Sequence, residues 1–198
     1  MTRNSGNQVY NKDQAGRFHE LLKSEGVSPK VISRFRKIIL TFYKKSGRDL
    51  PWRQTTNPYH ILVSEIMLQQ TRVDRVIKKF PEFIAVYPTC FDLARAKLPE
   101  LLSVWQGMGY NRRAIALSGC ARMIVERYDG QVPRDPEILA LFPGIGNATA
   151  HSIAAFAFNE PVVFIETNIR RIFIHFFFAG RDTVADRDIL PLVTKTLD

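Results

Sequence analysis

Residues 139–155 read Leu-Ala-Leu-Phe-Pro-Gly-Ile-Gly-Asn-Ala-Thr-Ala-His-Ser-Ile-Ala-Ala, and the succession of residue types in this stretch decides the fold. An apolar helical run stops at Pro143, turns through Gly144-Ile145-Gly146, and restarts as a helix rich in small residues. The two glycines permit a tight hairpin and close approach by a foreign backbone. The restarting helix aims free backbone N–H groups and its positive dipole end at whatever sits there, which suits a phosphate. A helix-hairpin-helix of this kind grips a nucleic-acid backbone without reading bases. A plain turn between packed helices also accommodates Gly-x-Gly. The Leu-x-x-Phe-Pro before it and the Thr-Ala after it favour the phosphate-binding reading.

Composition points the same way. The chain carries 28 Lys+Arg against 19 Asp+Glu, a net charge of +9 and a pI near 9.8, the balance of a protein attracted to a polyanion. A membrane surface would serve electrostatically, but the longest apolar runs, Ile153–Phe158 and Ile172–Ala179, are too short to span a bilayer. The N-terminal Met-Thr-Arg-Asn-Ser-Gly-Asn-Gln has no apolar leader core. Cys90 and Cys120, the two cysteines, build neither a disulfide framework nor a metal quartet, so the expected setting is a reducing cytoplasm. At 45% hydrophobic, 198 residues supply enough for one core or two small ones.

Outward from the hairpin, apolar residues recur at helical spacing almost throughout. Residues 1–15 are polar and expected to be ragged. Helices are predicted over 16–28 and 31–46, the second with a stripe of Val31, Ile32, Phe35, Ile38, Ile39, Phe42 and Tyr43. Further helices are predicted at about 58–70, 72–87, 89–95, 98–106, 110–128, 135–141, 147–158, 167–178 and 186–197, most of them separated by Pro or Gly. Val162–Ile165 reads as a buried extended connector rather than a sheet strand. The fold class is therefore all-α.

Two carboxylates sit where a carboxylate is costly. Glu65 lies in a helix that is otherwise apolar on nearly every face. A buried Glu has a raised pKa and suits a general acid, unless an Arg such as Arg72 or Arg113 satisfies it. Glu166 follows the apolar run and precedes Thr167-Asn168, at a helix start where the dipole holds an acid ionised; the plain alternative is simple capping, with Thr167 or Asn168 as the cap itself. One neutral acid beside one ionised carboxylate is the pairing that glycosidic bond cleavage uses. Two aromatic clusters accompany them. Trp52, in Leu50-Pro51-Trp52-Arg53, is expected to offer a stacking plane, whereas Trp105 is expected in the core. Tyr110 follows a Gly hinge and precedes Arg112-Arg113, so it could wedge into a base stack while the arginines hold phosphates. Lys78-Lys79 and Arg170-Arg171 are read as phosphate contacts or as ordinary solvated pairs.

On Arg48-Asp-Leu-Pro-Trp-Arg53, Asn57-Pro-Tyr59, Ser64-Glu-Ile-Met-Leu-Gln-Gln-Thr71, Trp105-Gln-Gly-Met-Gly-Tyr110 and Phe142-Pro-Gly-Ile-Gly146, the chain from about Arg48 onward resembles the helix-hairpin-helix DNA glycosylases. Within that superfamily it is most similar to the adenine DNA glycosylases of the MutY type. The resemblance implies a six-helix barrel domain over about 55–160, with the hairpin motif at about 136–155. It also implies a second helical domain from 31–54 and 161–198, cut short at its C-terminus, and an N-terminal extension over 1–30, disordered in part. By the same resemblance, Glu65 is the catalytic acid and Glu166 the second carboxylate, with Arg48, Leu50, Trp52, Gln69 and Asn168 around the flipped base. Gln70 and Tyr110 enter the stack, with Arg112, Gly144, Gly146, Ala148 and Thr149 also on the DNA. Backbone carbonyls of Phe142 and Ile145 are placed to hold K⁺ or Na⁺. The implied partner is double-stranded DNA with a mispaired or damaged base, with no membrane and no obligate protein partner.

Where the chain departs from the family, the implications change. Ala148 stands where bifunctional relatives carry a Schiff-base Lys, so cleavage without strand nicking is expected. Glu166 stands in the place of an Asp; the extra methylene displaces a carboxylate by about 1–1.5 Å. Asn111 stands in place of a second Tyr. The four iron–sulfur cysteines of typical members are missing, as is a domain that reads 8-oxoguanine, so no cofactor is expected in this chain. Three functions follow in order: an adenine glycosylase, a thymine or uracil mismatch glycosylase on the same scaffold, and a lesion-binding module without chemistry.

Overall fold

Capping chemistry sets most of the helix boundaries. The structure is a computed structural model that describes residues 12–197; residues 1–11, most of the stretch expected to be ragged, lie outside that range. Among the described residues there are eleven α-helices and no strand. They fall into two compact units, one over Asp49–Val162 and the other from the described residues up to Arg48 together with those from Val163 on.

The larger unit begins with a 3-10 turn, Pro51–Arg53. It continues through α3 (Pro58–Leu68), α4 (Val73–Val86), α5 (Cys90–Ala94), α6 (Leu98–Trp105), α7 (Arg112–Tyr128), α8 (Pro136–Leu139) and α9 (Asn147–Phe158). Asn57 starts α3 by accepting the N–H groups of Tyr59 (2.9 Å) and His60 (3.4 Å), with Pro58 in the first turn, where a missing N–H costs nothing. A full capping box of Thr89 and Asp92 starts α5. Asp129, left-handed at φ 49°, ends α7, and Asn159, at φ 55°, ends α9. Helix α3 runs through the middle, packed on α9, α4 and α7. Being apolar on nearly all sides, it is the element that must be covered on all sides. Leu62, Val63, Ile66 and Met67 interlock there with Phe83, Trp105, Leu117 and Ile153. Residues 49–54, assigned from the sequence to the flanking domain, go with this unit, because Leu50 and Trp52 are buried in its core.

In the other unit are α1 (Lys12–Glu25), α2 (Pro29–Ser46), α10 (Thr167–Phe177) and α11 (Asp186–Thr196). Its core is aromatic: Phe18 meets Phe176 edge-on at 5.2 Å, and Phe35 lies 5.3 Å from Phe176 and 5.2 Å from Phe173. The residues read as an N-terminal extension thus supply, in α1, a fully buried Phe18 to this core. Arg36 of α2 donates to the Thr196 and Leu197 carbonyls at the end of α11. The stripe predicted on α2 is only partly buried. Val31, Ile32, Phe35 and Ile38 are inside, while Phe42 and Tyr43 are exposed, since the aromatic core ends at the level of Ile38. The connector Val162–Ile165 is half-buried and unpaired by any strand.

Truncating Phe18 leaves a cavity at the centre of this small core. We expect Phe18→Ala to destabilise the chain by about 3–5 kcal/mol in urea unfolding. A loss below about 1 kcal/mol would show that α1 is not part of the unit's core.

Candidate nucleic-acid interface

Gln69, Thr71, Arg113 and the hairpin meet at the C-terminal end of α3. Glu65 is half-buried on α3 between the buried Ser64 and Ile66. One turn later Gln69 ends the helix, and its side-chain amide reaches across to the hairpin: Nε2 donates to the Gly144 carbonyl at 3.0 Å and to Thr149 Oγ1 at 3.4 Å. Gln69, expected beside the base, therefore also ties the acid-bearing helix to the hairpin. Neither arginine considered as a partner for Glu65 turns its whole guanidinium there. Arg72 pairs with Asp74 at 2.9 Å in solvent, and Arg113 is committed to backbone.

Arg113 is only 7% exposed. Its guanidinium donates to the carbonyls of Ile66 (3.2 Å) and Met67 (3.0 Å), to that of Gln69, and to Thr71 Oγ1 (2.8 Å). It also donates to the carbonyls of Met108 (3.0 Å) and Gly109 (3.2 Å), leaving Nε alone without a partner. Burial pulls its pKa below the ordinary value, yet an arginine stays charged. The guanidinium also lies 5.5 Å from the Trp105 ring and 5.6 Å from the Tyr110 ring. Trp105 is fully buried, as expected, and its indole N–H goes to the Gly109 carbonyl at 3.0 Å. Gln70 and Tyr110 are both exposed and both left-handed, with φ 53° and 48°. Tyr110 is 57% exposed, with Arg112 5.8 Å from its ring.

The hairpin itself runs from α8 to α9. Phe142 and Ile145 are buried beneath it, while Gly144, Gly146 and Ala148 are exposed. Gly144 has φ +74°, and a Cβ there would meet the Ala116 Cβ of α7 at 2.8 Å. The Cys120 thiol donates to the Pro143 carbonyl at 3.0 Å, and a Cβ on Gly119 would lie 3.4 Å from the Pro143 ring. The hairpin thus rests on Ala116, Gly119 and Cys120. Gly146 precedes α9 without a side chain to cap it. The amides of Asn147, Ala148 and Thr149, which no helix carbonyl can reach, therefore point outward as donors.

Glu166 belongs to the other unit. It is itself the N-cap of α10: Oε1 accepts the Ile169 N–H at 2.8 Å, and Oε2 accepts from Asn168 Nδ2 at 3.2 Å. Thr167 and Asn168 are thus inside the helix rather than caps. Arg48 is exposed. Leu50 and Trp52 correct the aromatic reading: Trp52 is 6% exposed and meets Phe80 edge-on at 5.8 Å, so both tryptophans are core residues and Trp52 offers no free stacking face. Sequence reasoning missed the parts played by Arg113 and Cys120. The signal was present, since Arg113, Ala116 and Cys120 share one helical face at i, i+3, i+7.

The profile described as HhH-GPD superfamily base excision DNA repair protein matches residues 63–189. The chain belongs to that superfamily. It is 42% identical over 135 residues to the adenine DNA glycosylase of Mycobacterium tuberculosis, covering 68% of this chain and 44% of that one. To the adenine DNA glycosylase of Mycolicibacterium smegmatis it is 40% identical over 160 residues, covering 80% and 55%. The chain therefore spans about half the length of these relatives. A thermostable thymine-DNA glycosylase superposes with a TM-score of 0.75 at 28% identity, covering 83% of this chain and 79% of that one.

The two cysteines cannot supply four iron ligands, and among the described residues no three His, Cys, Asp or Glu side chains converge on a point. No helix there is long and apolar enough to cross a membrane.

The hairpin seat and the buried thiols each lead to a prediction. Gly144→Ala combines left-handed backbone with a clash against Ala116. It should lower stability by about 2 kcal/mol or more in thermal or urea unfolding and weaken DNA binding. Burial pushes the thiols of Cys90 and Cys120 up to about 12, against about 8.5 in an unfolded chain. The folded state then holds these protons more tightly. Their contribution to stability is complete below about pH 8.5 and is lost as pH rises towards 12. Iodoacetamide at pH 8 should leave both thiols unmodified until urea unfolds the protein; rapid modification of the native chain would contradict their burial.

Proposed function

We propose that this chain carries a monofunctional DNA glycosylase that hydrolyses the N-glycosidic bond of adenine mispaired with 8-oxoguanine or guanine. The observation that carries the reading is the build of α3. A half-buried carboxylate, Glu65, stands one turn before Gln69, whose amide is bonded to a hairpin with three outward N–H groups. A group able to protonate a base is thereby held rigidly to a group able to hold a phosphate. The names of the relatives supply the base, adenine.

In this scheme Glu65 delivers its proton to the adenine ring, and the bond from C1′ to nitrogen breaks with its electron pair leaving on the base. Water adds to the oxocarbenium-like C1′, its proton returns to Glu65, and an abasic site remains. Glu166 is assigned the ionised carboxylate that stabilises the cationic centre. Its carboxylate is held in place by the Ile169 N–H and Asn168 Nδ2, both of which donate to it. Gln70 and Tyr110 fill the space the flipped base leaves, and Arg112 lies on the adjoining phosphates. Ala148, on the exposed first turn of α9, offers no amine for a Schiff base. A K⁺ or Na⁺ at the hairpin would rest on the carbonyls of Phe142 and Ile145; the Phe142 oxygen accepts the Ile145 N–H at 3.1 Å and keeps a second lone pair, and no step is routed through the ion. The likeness to a thymine-DNA glycosylase gives thymine or uracil opposite guanine as the second substrate reading.

The reading is tested by single-turnover cleavage of duplexes holding A opposite 8-oxoguanine, A opposite G, and T or U opposite G, with alkali to reveal abasic sites. Loss of A is expected, slowed at least about a hundredfold by Glu65→Gln and retained in Glu166→Asp. Borohydride should trap no covalent adduct. Release of T or U instead would give the second reading, and tight binding with no base released would leave a lesion-binding module.

A further inference from the structure

The buried guanidinium of Arg113 reaches further than a helix end requires. Capping α3 accounts for its bonds to Ile66 and Met67. The rest go to two separate loops. One is 69–71, held through the Gln69 carbonyl and Thr71 Oγ1; the other is 108–110, held through the Met108 and Gly109 carbonyls. Each loop contains one exposed residue with side chain and left-handed backbone, Gln70 and Tyr110. Each of those residues directly follows a carbonyl that Arg113 holds. That backbone region is disfavoured for residues with a Cβ and persists only where surrounding structure over-determines it. No peptide bond among the described residues is cis. Holding a trans peptide's C=O inward fixes the peptide plane, with the following N–H directed away from the guanidinium, and so limits the turn that the next residue can take.

We infer that Arg113 is the positioning residue that sets Gln70 and Tyr110 as a pair, fixing the peptides before both at one planar guanidinium. This rests on the reading above, in which those two side chains enter the base stack. A planar fork fixes the relative places of its acceptors. The spacing between the two insertion residues is therefore a property of one side chain rather than of two independent loops. The Tyr110 ring stands over the same guanidinium at 5.6 Å, which adds a contact to the side chain as well as to its peptide. A lysine keeps the charge but is a point donor with three protons, and it cannot hold six acceptors in two loops and a helix end.

The test separates this inference from the glycosylase reading by a measurement that needs no DNA. The protein is labelled with 3-fluorotyrosine, and the Tyr110 line in the ¹⁹F spectrum is assigned by its absence in Tyr110→Phe. A single narrow line is expected for the unaltered protein. In Arg113→Lys the Tyr110 line should broaden or split while the remaining tyrosine lines stay in place. An unchanged Tyr110 line would overturn the inference, whether or not the protein excises adenine. In the excision assay Arg113→Lys should slow base loss by about tenfold or more, since small misplacements at a reacting site are costly. Its effect should overlap with that of Tyr110→Ala rather than multiply with it. Fully multiplicative losses would show that Arg113 acts elsewhere and would overturn the inference. Should Arg113→Lys fail to unfold cooperatively, Thr71→Val removes one anchor of the guanidinium in the 69–71 loop. A broadened Tyr110 line in that variant is the expected result, because the other loop feels the loss only through Arg113, and an unmoved line counts against it.

Discussion

A guanidinium buried among carbonyl oxygens governs the arrangement of the larger unit. Taking a full positive charge out of water is tolerable only where fixed dipoles replace the lost hydration. The end of an α-helix is such a place, since its last carbonyls are unpaired and carry the negative end of the helix dipole. Arg113 occupies that place at the end of α3, and the oxygens it binds are backbone carbonyls and a threonine hydroxyl. Because those acceptors come from three stretches of chain, satisfying the charge and closing the fold are one event. If one loop were displaced, a buried donor would be left without its acceptor, at a cost of about 1–3 kcal/mol or more.

Helix α7 is the common support. Its Arg113 holds the two loops, and its Ala116, Gly119 and Cys120 form the floor under the hairpin. The same helix that fixes where a base stack would be entered therefore fixes where a phosphate would be gripped. Gln69 closes the circuit, with its carbonyl on Arg113 and its amide on Gly144. The smaller unit is built on different terms. It relies on stacked and edge-on phenylalanines with little buried polarity, and its candidate carboxylate, Glu166, is fixed by its own helix start. Each unit thus presents its acid by a local device, a helix interior in one and a helix cap in the other.

Nearly all the helices were legible in the sequence, because what starts and stops them is local. Asn57-Pro58, Thr89 with Asp92, and Asp129-Gly130 act within a few residues of themselves, and the 3.6-residue period marks what lies between. The hairpin was legible for the same reason: its glycines answer to a local turn. Reading failed where the deciding contact came from far along the chain. Trp52 was expected at a surface, but Phe80 covers it. Phe42 and Tyr43 continue an apolar stripe past the point where any partner packs on them. Arg113 looked like one of a surface basic pair: its place on one helical face with Ala116 and Cys120 marks it as inward-facing, but its acceptors on α3 and at Thr71, more than forty positions away, were not legible. Gln69 was placed near the candidate site by resemblance, but its bond to the hairpin is set by how α3 packs on α9.

The chemistry of the Arg113 joint also separates two responses to ionic strength. An arginine does not deprotonate in this range, and carbonyls do not titrate, so no pH near neutrality opens the joint. Mobile ions screen exposed charges over about 8–10 Å but reach a buried pair of charge and dipole much less. A protein of net charge +9 that holds a polyanion by surface cations must release it as salt rises. The platform beneath those cations should meanwhile keep its shape. If the proposed function holds, salt acts on how often the chain is seated on DNA and not on how well it is formed once there, so residence and geometry are under separate control.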